Sequence, residues 1–283
     1  MSSTIPGRIT RILLAGAAAL LLVGCGDDGG EGTTPSTSPS PTTSSSAPST
    51  TVSGVYFTVD TRTGFRLARE LRDLAGDDPA VAAVETMIAG ADDPDYFTAW
   101  NPETQVLGVT QDGSAIEVDL SADARTANIG SEGAALMIQQ LVYTVTEAVD
   151  EEATVQLLIE GEPAGELWGV VSWDEPVGRA DPLDVRSLVQ IDAPSEGATT
   201  TSPLRIEGEA AVFEATLAWR ILDADGTEVN AGITMTAEGQ TFAPFMFPVE
   251  LEPGTYTVEI SEQDASGGEG GSVMTDTRTV TIE

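Results

Sequence analysis

The stretch Glu132-Gly133-Ala134-Ala135-Leu136-Met137-Ile138-Gln139-Gln140-Leu141-Val142-Tyr143-Thr144-Val145-Thr146-Glu147-Ala148-Val149 decides the fold of the first half of the chain. Ile138, Leu141, Val142, Val145 and Val149 recur at helical spacing and form one apolar stripe, with Ser131 placed to cap it. Burying such side chains stabilises a fold by about 1.5–3 kcal/mol each, so the stripe reads as core and not as a cofactor box. Upstream, Ile116, Val118 and Leu120 alternate with Glu117 and Asp119, which marks a strand with one buried and one wet face. Val106, Leu107 and Val109 form the other arm of that hairpin, and Asp112-Gly113 is its turn, because glycine accepts positive φ. Downstream, Val155, Leu157 and Ile159 read as a strand that turns at Gly161-Glu162-Pro163 and is extended by Leu167 and Trp168.

A second helix precedes the hairpin. Asp78 can cap it, Pro79 suits its first turn, Gly90 can close it, and Val81, Val84, Met87 and Ile88 share one face. Asp92-Asp93-Pro94-Asp95 then breaks the pattern. Three close acids could hold a cation, but a polar turn after the helix is the simpler reading. Val55-Tyr56-Phe57-Thr58-Val59 reads as a buried strand. Phe65, Leu67 and Leu71 fall at strand spacing, although 66–74 also fits a helix. The order of strands, helix, hairpin, helix and strand predicts an α+β domain over 52–170, with two helices covering a small mixed sheet.

Residues 171–187 form a connector broken by Pro176, Gly178 and Pro182. From Leu188 onward only strand patterns remain. They centre on Val189/Ile191, Leu204/Ile206, Leu217/Trp219/Ile221, Val229/Ile233/Met235, Phe242/Phe245/Phe247, Tyr256/Val258/Ile260 and Val280/Ile282. Short strands separated by turns predict an all-β immunoglobulin-like sandwich over 188–283. Trp219 is expected to plug its centre, in which case Trp219→Ala would cost about 3–5 kcal/mol.

The other end of the chain speaks about location. Arg8 and Arg11 precede an apolar run from Ile12 to Val23, the layout of a secretory signal over 1–24. The run is about a dozen residues, short of the ~20 needed to span a bilayer. Leu22-Val23-Gly24-Cys25 resembles the lipobox of bacterial lipoproteins. The resemblance implies that Cys25 receives a thioether-linked diacylglycerol and begins the mature chain. That chain would then sit at the outer face of the cytoplasmic membrane. Residues 25–51 follow as a Ser-, Thr- and Pro-rich tether with little apolar surface to repay ordering. As a flexible coil it would span ~25–30 Å, and fully extended roughly 85 Å. Its Ser and Thr beside Pro suit O-glycosylation as well as a bare linker.

Composition narrows the chemistry. All 12 basic residues are arginine, against 46 acids, for a formal charge of −34. Such a surface repels nucleic acid, which is bound by clustered cations. No histidine is present, which removes the commonest general base and metal ligand. With one cysteine, assigned to lipid, neither a disulfide framework nor a zinc site is expected. No cofactor is implied. Paired carboxylates are the remaining route to catalysis, with Glu207, Glu209 and Glu214 as candidates of the kind glycosidases use, against the plainer reading of acids on a wet strand face. Asp223-Ala224-Asp225-Gly226-Thr227-Glu228 has the look of part of a calcium loop but lacks its further ligand spacing, so a hairpin turn is expected. Gly267-Gly268-Glu269-Gly270-Gly271 follows no nucleotide-binding pattern and reads as a loop.

Several of these segments together are similar to the GerMN domain. They are Met87-Ile88-Ala89-Gly90, Asn101-Pro102 onward to Gly108, Ile116-Glu117-Val118-Asp119-Leu120-Ser121, Leu141-Val142-Tyr143-Thr144-Val145-Thr146, and Val155 to Gly161. The similarity covers roughly 54–170 and departs from the family where Ala91, not proline, follows Gly90. Ile191 with Pro194, Pro203-Leu204-Arg205-Ile206-Glu207-Gly208, Phe213-Glu214 and Gly254-Thr255-Tyr256-Thr257-Val258 resemble the immunoglobulin-like domain that accompanies GerMN in spore-germination-type lipoproteins. The resemblance implies a non-catalytic envelope role linked to sporulation or germination. The expected partners are the membrane, through its lipid, and another envelope protein or cell-wall material. The rival expectations are a wall-glycan enzyme using carboxylates and a receptor holding a soluble ligand between its two domains.

Overall fold

A computed structural model describes residues 50–263 and 273–283. Cys25, the signal segment, the tether up to residue 49 and the glycine-rich run 267–271 lie outside the described residues. The described residues form one compact unit.

The first module opens with a long hairpin. Strand β1 (Thr50–Thr61) pairs with β2 (Gly64–Ala75) along its whole length, from Thr50↔Ala75 to Thr61↔Gly64. Residues 66–74 are therefore strand, not helix, and Thr50 and Thr51, read as the end of the tether, are already paired. Helix α1 (Pro79–Ala89) follows, and Asp78 accepts from the Ala80 and Val81 amides as a cap should. The short β3 (Tyr96–Phe97) returns to β1 through Thr58↔Phe97 and Val59↔Tyr96.

A second, mixed sheet is built from β4 (Val106–Asp112), β5 (Ala115–Leu120), β6 (Thr154–Ile159) and β7 (Glu162–Pro163), in that order. Helix α2 (Ser131–Val149) crosses between the parallel strands β5 and β6. Its cap is Gly130, and Ser131 is already the first helical residue. The α+β expectation holds, with the strands divided among these two sheets and a small third one in which Gly165–Leu167 pairs with Val171–Trp173. Ile116, Val118, Leu120, Val155, Leu157 and Ile159 meet Leu141, Val142 and Val145 of α2 and Val84, Met87 and Ile88 of α1 in one core. Trp168 does not extend a strand. After β8 (Gly165–Leu167) it turns at φ 53, rests its ring edge-on against Trp100 and donates from Nε1 to the Ala124 carbonyl. The connector is equally built. It holds β9 (Val171–Trp173), which buries Trp173, and one turn of helix, α3 (Pro182–Val185).

The second module is a sandwich. One sheet contains β10 (Val189–Ala193), β12 (Leu204–Ala210) and β15 (Ala243–Val249). The facing sheet runs β11 (Ala198–Thr200), β17 (Thr275–Ile282), β16 (Gly254–Glu262), β13 (Thr216–Asp223), β14 (Glu228–Met235). Ile206, Leu217, Ile221, Phe245, Val258 and Val280 fill the centre. Trp219 does not. It is half-buried at the rim, stacked on Phe247 at 5.1 Å, and lies over Gly232, where a Cβ would come within 2.6 Å of the indole. Phe242 falls just before β15, with its ring 4.2 Å from the Arg186 guanidinium carbon.

Candidate functional site

The two modules meet along β2, β3 and the residues after α1 on one side, and β10, β12 and β17 on the other. Two polar clusters hold them together. The first forms around Arg69 of β2, which grips Asp192 of β10 with Nε at 3.2 Å and Nη2 at 2.8 Å. Its amide donates to Gln190 Oε1 at 3.1 Å, and its guanidinium also pairs with Glu209 of β12 and Glu147 of α2. Arg186 closes the cluster by pairing with Glu209 between the rings of Tyr56 and Phe242. The Ser187 amide bonds the Leu67 carbonyl at 2.8 Å, so main chain as well as side chain crosses the seam.

The second cluster is drier. Arg278 of β17 is 3% exposed and contacts Asp93 at 2.5 Å, Asp276 at 2.9 Å, the Tyr96 hydroxyl at 3.0 Å and the Ile191 carbonyl at 2.9 Å. Tyr96 donates to Asp276 at 2.7 Å, and the other Asp276 oxygen accepts from the Ile191 amide at 2.6 Å. Glu70 orients the acidic turn by accepting from the Asp92 and Asp93 amides. Two carboxylates thus share one guanidinium with no bulk water. Burial pushes the Asp93 carboxyl up to about 6, against the pull of Arg278, and raises Asp276 as well. Burial would lower the Arg278 guanidinium, but Asp276, Tyr96 and Asp93 outweigh it and hold it above an ordinary arginine.

Several concavities flank the seam and α2. A polar cleft of about 270 Å³ lies at the junction, lined by Glu70, Arg72, Asp92, Asp192, Glu196 and Arg278 among others. A more apolar groove of about 490 Å³ runs beside the first half of α2, where Phe65, Leu136, Ile138, Val171 and Val177 contribute. Its extension of about 240 Å³ carries Phe97, whose ring meets Phe65 edge-on at 5.6 Å.

The acids singled out from the sequence go separate ways. Glu209 is held by Arg69 and Arg186, Glu207 pairs with Arg205, and Glu214 sits in a tight turn at φ 54. Asp223 accepts through Oδ1 from the Asp225 and Thr227 amides, which makes 223–228 the expected hairpin turn. Asp92-Asp93-Pro94-Asp95 is a turn too, but Asp93 is a seam residue and not a solvated one. Among the described residues no cluster of acids has metal-binding geometry. Sequence reasoning missed Arg69, Gln190, Asp276 and Arg278. One signal was available for the last two: they share the alternation of Val280 and Ile282 and so fall on the buried face of β17.

Two stretches of the chain match known family models. Residues 34–165 match the family model described as sporulation and spore germination. Residues 188–269 match the immunoglobulin-like domain of bacterial spore germination. Among solved structures, the tandem GerMN domains of the sporulation protein GerM from Bacillus subtilis are similar at 18% identity and a TM-score of 0.40, over 46% of this chain and 46% of that one. The first GerMN domain of the same protein alone is similar at 17% identity and a TM-score of 0.36, over 45% of this chain and 98% of that one. A putative lipoprotein from Clostridium perfringens is similar at 15% identity and a TM-score of 0.33, over 48% and 93%. No curated protein matches.

Proposed function

We propose that this chain, which joins a GerMN-type domain to the immunoglobulin-like domain of bacterial spore germination, acts as a lipid-anchored binding or scaffolding protein of the cell envelope during sporulation or germination. Cys25 is its anchor and the outer face of the cytoplasmic membrane its place. The role is non-catalytic. The seam is the observation that carries this reading. Arg278, Asp93, Asp276 and Tyr96 are committed to one another across the two modules, and they make a single block that can offer a partner a composite surface. The acids that could have served as a catalytic pair are engaged separately by arginines or held in a turn. The test is recovery of the tagged chain from detergent-solubilised membranes, with parallel binding to purified cell wall. A specific envelope partner or wall binding is expected. Recovery of neither, or hydrolysis of purified peptidoglycan by the chain, would overturn the reading.

The cleft of about 270 Å³ at the seam favours one variant of this role, a receptor for a small polar ligand. A ligand that bound the purified chain without membrane or wall, and lost affinity on Arg72→Ala, would support that variant.

A further inference from the structure

Among the described residues the sandwich has four sheet edges, and three are blunted. β15 carries Pro244 and Pro248, which have no amide hydrogen to offer. β11 is three residues long. β10 lies against the first module, where the Arg69 amide donates to its Gln190. The fourth edge, β14, is eight residues long and contains no proline and a single charge, Glu228. Natural sheets cover or charge such an edge, because its unpaired main chain is a template for another strand.

Hydrogen bonding identifies which groups stand open. The Asp223 amide bonds the Thr227 carbonyl and the Thr236 amide bonds the Ala215 carbonyl. With the register Ile221↔Asn230, Trp219↔Gly232 and Leu217↔Thr234, this assigns Asn230, Gly232 and Thr234 to the β13 ladder. Ala231, Ile233 and Met235 then turn their amides and carbonyls away from β13. The Ala231 amide agrees, since it is taken up by its neighbour's Asn230 Oδ1. The same residues carry the strand's outward side chains, with Ile233 69% and Met235 62% exposed. Acids border both ends, Asp225 and Glu228 at one and Glu214 and Glu238 at the other. Arg220, opposite Ala231 on β13, is committed to Glu259 by two bonds of 2.6 and 2.8 Å.

We infer that β14 is a docking edge for an extended segment of a partner protein, one with apolar side chains at alternate positions and lysine or arginine at its ends. The open ladder calls for a strand, the Ala231-Ile233-Met235 row for alternate apolar contacts, and the acidic ends for cations. A second copy of this chain fits less well, because it would bring the same acids to the same rim. The inference goes beyond the envelope role proposed above and is tested without any membrane or wall component.

The test is selection from a random decapeptide library on the immobilised full-length chain, with hydrogen exchange on the chain bound to the selected peptide. Enriched sequences should carry apolar residues at alternate positions and basic residues towards their ends, slow exchange at the Ala231 and Ile233 amides, and bind at least tenfold more weakly in 0.5 M salt. Ile233→Pro removes an open-edge amide that takes no part in the β13 ladder, and should cut binding at least tenfold. Ile233→Thr keeps the amide and the strand preference, trims the apolar contact, and should weaken binding less. The inference is overturned if nothing of that pattern is enriched or if the peptide protects other amides. It also fails if Ile233→Pro, with its melting temperature retained, binds as the parent does, or if the chain dimerises through β14 and excludes the peptide.

Discussion

Gln140 completes the edge of a strand it does not belong to: its Nε2 donates to the Tyr56 carbonyl at 3.0 Å from within helix α2. One turn later Thr144 Oγ1 accepts from the Tyr56 amide at 3.1 Å. β3 covers β1 only at Thr58 and Val59, so beyond that point the helix supplies the hydrogen bonds a neighbouring strand would have made. Both side chains are fully buried. Gln140→Leu strands the Tyr56 carbonyl without a partner. It should cost about 1–3 kcal/mol in urea unfolding, and Thr144→Val should behave alike.

At the seam, the asymmetry of buried charge sets the expectation. Arg278→Met leaves Asp93 and Asp276 facing each other without a cation and should destabilise the chain by about 3–5 kcal/mol. Replacing all three charges together with apolar residues should cost much less. Urea unfolding of both variants checks the order. A triple variant as damaged as Arg278→Met would show that the charges are not what joins the modules.

Asp93 also makes stability depend on pH. Its carboxyl stands at about 6 in the folded chain against 3.8 as the ordinary value. The folded state therefore holds this proton more tightly than the unfolded state. The contribution is fully present below pH 3.8 and is lost as pH rises through 6. Asp276 is shifted in the same direction. The difference in unfolding free energy between parent and Asp93→Asn, measured from pH 4 to pH 8, should move against the parent as pH rises.

Trp219 at the rim should matter less than a central residue. Trp219→Ala should cost less than Phe245→Ala, which removes a ring buried at 3% exposure and should cost about 3–5 kcal/mol. Chemical unfolding of the two variants side by side decides the ranking.

Local signals were the legible ones. Asp78, Pro79 and Gly90 bounded α1, the alternation at 116–120 located β5, and the apolar stripe located α2, because each is written within one turn or one pleat. The seam was hidden because its partners are far apart in the chain. Asp93 and Arg278 are separated by 185 positions. Trp219 was misplaced for a related reason: nothing in β13 reveals that its neighbour across the ladder is Gly232, which leaves room for the indole at the rim. Met235 and Ile233 read as ordinary strand residues, and only the register turned them outward on an open edge.

The central claim is that this block works by meeting a partner while held to the membrane through Cys25. Photocrosslinking in intact cells, with the parent and Cys25→Ser compared at equal abundance, tests it most directly. The account predicts a discrete adduct for the parent and its loss for Cys25→Ser, which should also leave the membrane fraction. An unmodified Cys25 with the chain free of the membrane, or the same adduct from both forms, would contradict it.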